Sequence, residues 1–137
     1  LPIALGAKTR IGIFTVSDPT PGSSHGFYNE AEVHRLPADN VEKRELLVMS
    51  LDDCVKIFEL PKPSFIKIDV DGGEVEVLQG ATHTLKSETL KSVLVEVEGG
   101  QEDSVFRLLG ESGFTMKERV RLNTHSENII FEREAKK

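Results

Sequence analysis

Lys67, Asp69 and Asp71 alternate along a short apolar run that ends in Gly72-Gly73, and Glu96 and Glu98 close a second apolar run that ends in Gly99-Gly100. Successive side chains of a strand point to opposite faces, so Lys67, Asp69 and Asp71 share one face while Ile66, Ile68 and Val70 share the other. Glu96 and Glu98 likewise lie opposite Val93, Val95 and Val97. If the two runs are neighbouring strands, about 4.8 Å apart, Asp69, Asp71 and Glu96 converge on one rim. Crowded carboxylates repel, which raises at least one pKa unless a cation compensates. Lys67, a metal ion or the positive end of the following helix could supply that charge. The competing reading is a solvated strand end, or a structural ion pair of Lys67 with Asp69 or Glu96, and spacing alone leaves both open. Asp71 is also placed to cap the helix behind it.

The elements that must position these groups read in an α/β order. Leu1–Leu5 reads as the end of a strand and Ile11–Ser17 as a strand, followed by a Pro/Gly-rich loop without clear periodicity to about Arg44. Glu45–Met49 reads as a short strand. Ser50 and Asp53 resemble a capping box, and Leu51, Val55 and Phe58 mark one face of a helix that stops before Pro61. Ser64–Val70 and Ser92–Val97 are mostly apolar, as strands covered on both faces would be. Between them a helix starts at Glu74 with Val75 and Leu78 on one face, is interrupted at Gly80 and runs on through Leu85. A further helix spans about Glu102 to Ser112 with Val105, Leu108 and Leu109 inward. Phe114–Leu122 and Glu127–Arg133 form a hairpin across a short turn. The order predicts right-handed crossovers, parallel central strands and an antiparallel addition at one edge. Ligands of such sheets bind beyond the carboxyl ends of the strands, here Asp69–Gly73 and Glu96–Gly100.

Composition narrows the classes. A chain of 137 residues fits one domain, long enough to bury a core. No apolar run approaches the ~18–20 residues of a bilayer span, and the start lacks the pattern of a secretory signal, so no membrane partner is expected. The single cysteine, Cys54, cannot form an internal disulfide and reads as a small core residue. A net charge of -6 argues against nucleic acid as the partner. A reducing, cytoplasmic setting is the plainest expectation.

The segment Phe65-Ile-Lys-Ile-Asp-Val-Asp-Gly-Gly-Glu74, followed by Val77-Leu-Gln-Gly-Ala81, resembles the signature of FkbM-type methyltransferases. In that family a strand reading K-I-D-V-E-G-x-E leads into a helix reading L-x-G-A. Ser50-Leu51-Asp52-Asp53, Leu94-Val95-Glu96, Pro21-Gly22-Ser23-Ser24 and Asn128-Ile129-Ile130-Phe131 agree with it in order, over nearly the whole chain. The resemblance implies a Rossmann-like sheet and S-adenosylmethionine as cofactor. It also implies an acceptor hydroxyl on a sugar or secondary metabolite. It assigns Asp69 as catalytic and cofactor-binding, Glu96 as catalytic or orienting, and Ser23 and Ser24 as substrate-binding. Asp71, and His25 in a loop that could close over the acceptor, are read as substrate-binding beside them, and no residue is read as a metal ligand. Departures exist: Asp71 replaces the family's Glu, and Gly6-Ala7 replaces Ser-Asp in a stretch resembling A-L-S-D-K. The family's glycine-rich turn and ribose-binding acid have no counterpart, and neither Gly72-Gly73 nor Gly99-Gly100 has the required context.

The chain therefore reads as one partial domain, residues 1–137, the carboxyl-terminal half of such an enzyme without its cofactor-binding half, and inactive alone. Half a sheet exposes a long edge, so a homo-oligomer or a rearranged fold is the expected state. The alternative is a non-catalytic module derived from a methyltransferase that has lost cofactor binding and pairs with another protein. His25 is also open to a plain exposed-loop reading, His83 reads as a surface residue, and Arg133–Lys137 reads as a solvated tail.

Overall fold

A computed structural model of the chain describes residues 3–16, 26–27, 42–70, 72–98 and 100–134. Its elements are β1 (Ala4–Leu5), β2 (Arg10–Val16), β3 (Gly26–Phe27), β4 (Glu42–Met49), α1 (Leu51–Ile57), β5 (Phe65–Ile68), α2 (Glu74–Gln79), α3 (Thr82–Leu85), β6 (Ser92–Glu98), α4 (Glu102–Glu111), β7 (Phe114–Arg121) and β8 (Ser126–Arg133). Among the described residues they build two four-stranded sheets, ordered β1-β4-β2-β3 and β5-β6-β8-β7. The α/β class holds. The second sheet carries the expected parallel pair, β5 beside β6, and the expected antiparallel hairpin, with β8 inserted between β6 and β7.

The first sheet is a departure from the sequence reading, which placed no second sheet in the opening third. β4 starts at Glu42 rather than Glu45, because it pairs antiparallel with β2 along the whole of Arg10–Val16. Cross-strand partners, rather than local apolar periodicity, hold Glu42–Arg44 extended. β1 adds in parallel through Ala4↔Val48 and Leu5↔Met49. On α1 the buried residue is Cys54, as expected of a core cysteine, whereas Phe58 is 39% exposed. The helix ends at Ile57, which leaves Phe58 at the cap instead of one turn further along the apolar face.

The core lies on one face of the second sheet. Val93, Val95, Val97, Ile129 and Phe131 from the strands meet Val77 and Leu78 of α2, Leu85 of α3, and Val105 and Leu109 of α4. Each fully buried aliphatic side chain of this kind contributes about 1.5–3 kcal/mol of transfer free energy. The tail reading is corrected at Arg133, which is half-buried and anchored. Its guanidinium donates to the carbonyls of Leu90 at 2.8 Å, Ser112 at 3.1 Å, Leu85 at 2.5 Å and Ser87 at 3.0 Å, and stacks 4.4 Å over the Phe114 ring. The Leu85 and Ser112 carbonyls lie at the carboxyl ends of α3 and α4, where a cation is favoured by the helix dipole.

The two sheets meet at Gly80. A Cβ there would lie 2.1 Å from the Gly6 carbonyl oxygen and 3.2 Å from the Ser50 Cα. The absent side chain lets the α2–α3 junction touch the end of β1 and the start of α1. Gly80 also accepts from the Asp52 amide at 3.0 Å. Asp52 completes the joint: its carboxylate accepts from the His83 amide at 2.8 Å and from the Thr84 amide and hydroxyl at 2.8 and 2.7 Å, capping α3 from another helix. Partial burial opposes its ionisation, but the bonds from His83 and Thr84 outweigh it and hold its pKa below the usual carboxylate value. Ser50 caps α1 by accepting from the Asp53 amide at 3.1 Å. The return bond of the expected box runs through Thr9, which accepts from the Ser50 amide and donates to Asp53. Because backbone, not a flexible side chain, blocks the space at Gly80, Gly80→Ala is expected to destabilise the fold by at least about 3 kcal/mol in urea unfolding. A loss under about 1 kcal/mol would show that the two sheets slide apart without cost.

Candidate functional site

β5 and β6 run parallel in the register Lys67↔Leu94 and Ile68↔Val95. One step further that register sets Asp69 beside Glu96, so the two carboxylates meet at the carboxyl ends of adjacent strands, as the spacing predicted. Glu96 lies within hydrogen-bonding reach of Asp69. Alternation keeps both on the face away from the core, where Asp69 is exposed and Glu96 half-buried.

Repulsion does not raise Asp69. The Lys67 ammonium donates to its Oδ2 at 2.5 Å. That bond holds the Asp69 carboxyl below its ordinary pKa and pushes the Lys67 pKa upward, with Glu96 adding to the field on Lys67. Of the compensating charges the sequence offered, Lys67 is seen paired with Asp69. Asp69 is thus ionised across the neutral range. It is a strong hydrogen-bond acceptor and a weak base. Glu96 faces Asn128 of β8 in the antiparallel register, and Asn128 Oδ1 is buried without a hydrogen-bond partner among the described residues. An acid, an acid and an amide therefore line up across three strands.

Asp71, Ser23, Ser24 and His25 lie outside the described residues, as does His34. The cap position of α2 is Gly73, which offers no side chain, and the capping role expected of Asp71 lies outside the described residues. His83 is exposed on α3, in keeping with its surface reading. A shallow cleft beyond the end of β6 is bounded by Val97, Glu98, Glu102, Arg121, His125 and Glu127. Asp69 does not line it; the carboxylate pair sits on the neighbouring strand end. Among the described residues no set of three or more His, Cys, Asp and Glu is gathered to hold a metal ion. No described helix is long and apolar enough to cross a membrane.

Glu74 is the residue that sequence reasoning passed over. A glutamate in the first turn of a helix normally faces water and the helix dipole, so its type and position gave no signal. Here it is fully buried. Its Oε1 accepts from the Gly72 amide at 3.2 Å, while Oε2 has no partner among the described residues. Desolvation pushes its pKa from 4.5 to about 7, against the bonds from its own amide and that of Gly72, with Glu98 and Glu76 raising it further. The raised pKa expected of a crowded acid falls on this buried one rather than on Asp69.

A carboxyl whose folded pKa exceeds its unfolded value stabilises most below the unfolded pKa and loses that contribution as pH rises through the folded one. For Glu74 the window runs from 4.5 to about 7. Glu74→Gln removes the titration, so the variant should gain about 2 kcal/mol on the unchanged protein between about pH 5 and about pH 8. Urea unfolding at both values measures it, and a gain that is flat or reversed in pH would refute a neutral buried Glu74.

Comparison with known proteins agrees with these features. The family model of the methyltransferase FkbM domain matches residues 2–123. The hexuronic acid methyltransferase AglP of Haloferax volcanii is 29% identical over 135 residues, covering 98% of this chain and 52% of that protein. The chain thus spans about half the length of that curated relative. No solved structure matches. With Lys67, Asp69, Glu74 and Gly80 each in a defined structural position, the match from residue 2 to residue 123 places the chain in the FkbM methyltransferase family.

Proposed function

We propose that this chain forms the acceptor-side half of an S-adenosylmethionine-dependent methyltransferase, with a Rossmann-like sheet, that methylates a hydroxyl of a sugar or secondary metabolite. The observation that carries the reading is the meeting of Asp69 and Glu96 at the ends of adjacent parallel strands in a chain of this family. The similarity to a hexuronic acid methyltransferase makes a uronic acid glycan the first acceptor to try.

The bound cofactor would supply an electrophilic methyl group on a cationic sulfonium. Two adjacent acids with one lysine, bonded to Asp69, leave a net negative rim, which suits a cation. In the proposed mechanism Asp69 accepts a hydrogen bond from the acceptor hydroxyl and aligns its oxygen. Glu96, beside it, would orient the same group and take up its proton on methyl transfer. Asp69 is the poorer proton acceptor because the Lys67 bond holds its pKa low. Alignment of this kind can supply much of the rate, and a positioned base about a further 10²–10⁴-fold. The glycine-rich cradle for the cofactor has no counterpart in these 137 residues, and the proposal assigns it to other parts of the polypeptide.

In the complete polypeptide that carries this sequence, calorimetric titration is expected to show S-adenosylmethionine binding. Asp69→Asn and Glu96→Gln are each expected to lower methyl transfer by about 10²-fold or more. Normal turnover in both variants would remove the assigned roles, and no cofactor binding by the complete polypeptide would favour the non-catalytic module.

A further inference from the structure

The ladder between β5 and β6 ends at Ile68↔Val95, one step before the carboxylates. Asp69 therefore sits one step past the ladder, while Glu96 stays within β6, held by its pairing with β8. Three residues past Asp69, Gly72 is buried with φ 85°, a left-handed conformation that favours glycine. Both its backbone polar groups are held by side chains. The Glu74 carboxyl takes its N–H at 3.2 Å, and the Gln101 amide donates to its carbonyl at 2.8 Å. The two grips come from different loops: Glu74 opens α2 behind β5, and Gln101 precedes α4 behind β6. Gln101 is itself anchored, its amide donating to the Glu98 carbonyl at 3.3 Å and its carbonyl accepting from Val105 at 3.1 Å. The bond from Gln101 to Gly72 is thus a direct tie between the end of β6 and the turn that follows Asp69.

We infer that Glu74 and Gln101 are positioning residues for the Asp69–Glu96 pair, gripping Gly72 from both sides so that the two strand ends keep one separation. The inference rests on the proposed function only in taking that pair as the reactive one. A fully buried carboxyl is costly, and an apolar residue of similar size would pack there more cheaply. Its bonds to Gly72 and to its own amide are what it contributes in return. Neither grip touches substrate in this scheme; both act through Gly72.

The test uses the complete polypeptide, with the Asp69 carboxyl titrated by NMR and methyl transfer from S-adenosylmethionine measured alongside. In Gln101→Ala, Asp69 is expected to titrate higher, towards an ordinary carboxylate, because its placement against Lys67 and Glu96 is no longer held. Turnover should fall by about 10²-fold while the KM for S-adenosylmethionine changes less than about threefold. Glu74→Gln keeps an acceptor for the Gly72 N–H and should leave the Asp69 titration in place. A loss of stability alone would not move that titration. If Asp69 titrates identically in Gln101→Ala and the unchanged protein, the positioning role is overturned whatever the turnover. If the unchanged polypeptide fails to bind S-adenosylmethionine while Gln101→Ala still shifts Asp69, the functional reading falls and the positioning role stands.

Discussion

A slip of one residue between β5 and β6 would turn Ile66 and Ile68 away from α2 and α4 and drive Asp69 into the core. The register Ile66↔Val93 and Ile68↔Val95 is held against that slip by burial of Ile68, Val93 and Val95 on the helix-covered face. The same alternation that hides these side chains delivers Lys67, Asp69, Leu94 and Glu96 to the opposite face. The acidic rim is therefore a consequence of how the core packs, and the end of the ladder is where that control weakens.

Two acids near that rim are handled in opposite ways. Asp69 stays charged because Lys67, two residues away on the same face, bonds its carboxylate in a partly solvated setting. Glu74 is buried with no cation beside it among the described residues, so desolvation opposes its charge. An acid kept ionised outside the sheet and one whose ionisation is delayed towards neutral pH behind it differ by environment, not by residue type. The first can hold a hydroxyl or a cation. The second can hold a backbone turn.

The joint at Gly80 has a different logic. Gly6, Ser50 and Gly80 approach so closely that only backbone fits, and Asp52 then reaches across to cap α3. Two of the motif segments that resemble the family, Ser50-Leu51-Asp52-Asp53 and Leu78-Gln79-Gly80-Ala81, are thus halves of one contact. Their part is architectural: they set the sheet of β1–β4 against the helices that back the site. Gly6, which departs from the family's Ser, belongs to this contact through its carbonyl.

Period-two alternation in Phe65–Ile68 and Ser92–Glu98, the glycine punctuation and the hairpin pattern were legible from the chain, because each depends on residues close in sequence. So was the pairing of Asp69 with Glu96 once the two runs were taken as neighbours. The sheet of β1–β4 was not legible, since Glu42–Arg44 are extended by partners some thirty residues away. Nor was the fixed place of Arg133, whose four carbonyl partners come from segments 21 to 48 residues distant. Glu74 looked like an ordinary first-turn glutamate until packing removed its water. Which residues alternate, break and cap follows from local steric and hydrogen-bonding preferences, and these are written along the chain. Which charges survive follows from desolvation and the nearest counter-charge, and these arise only once the chain has folded.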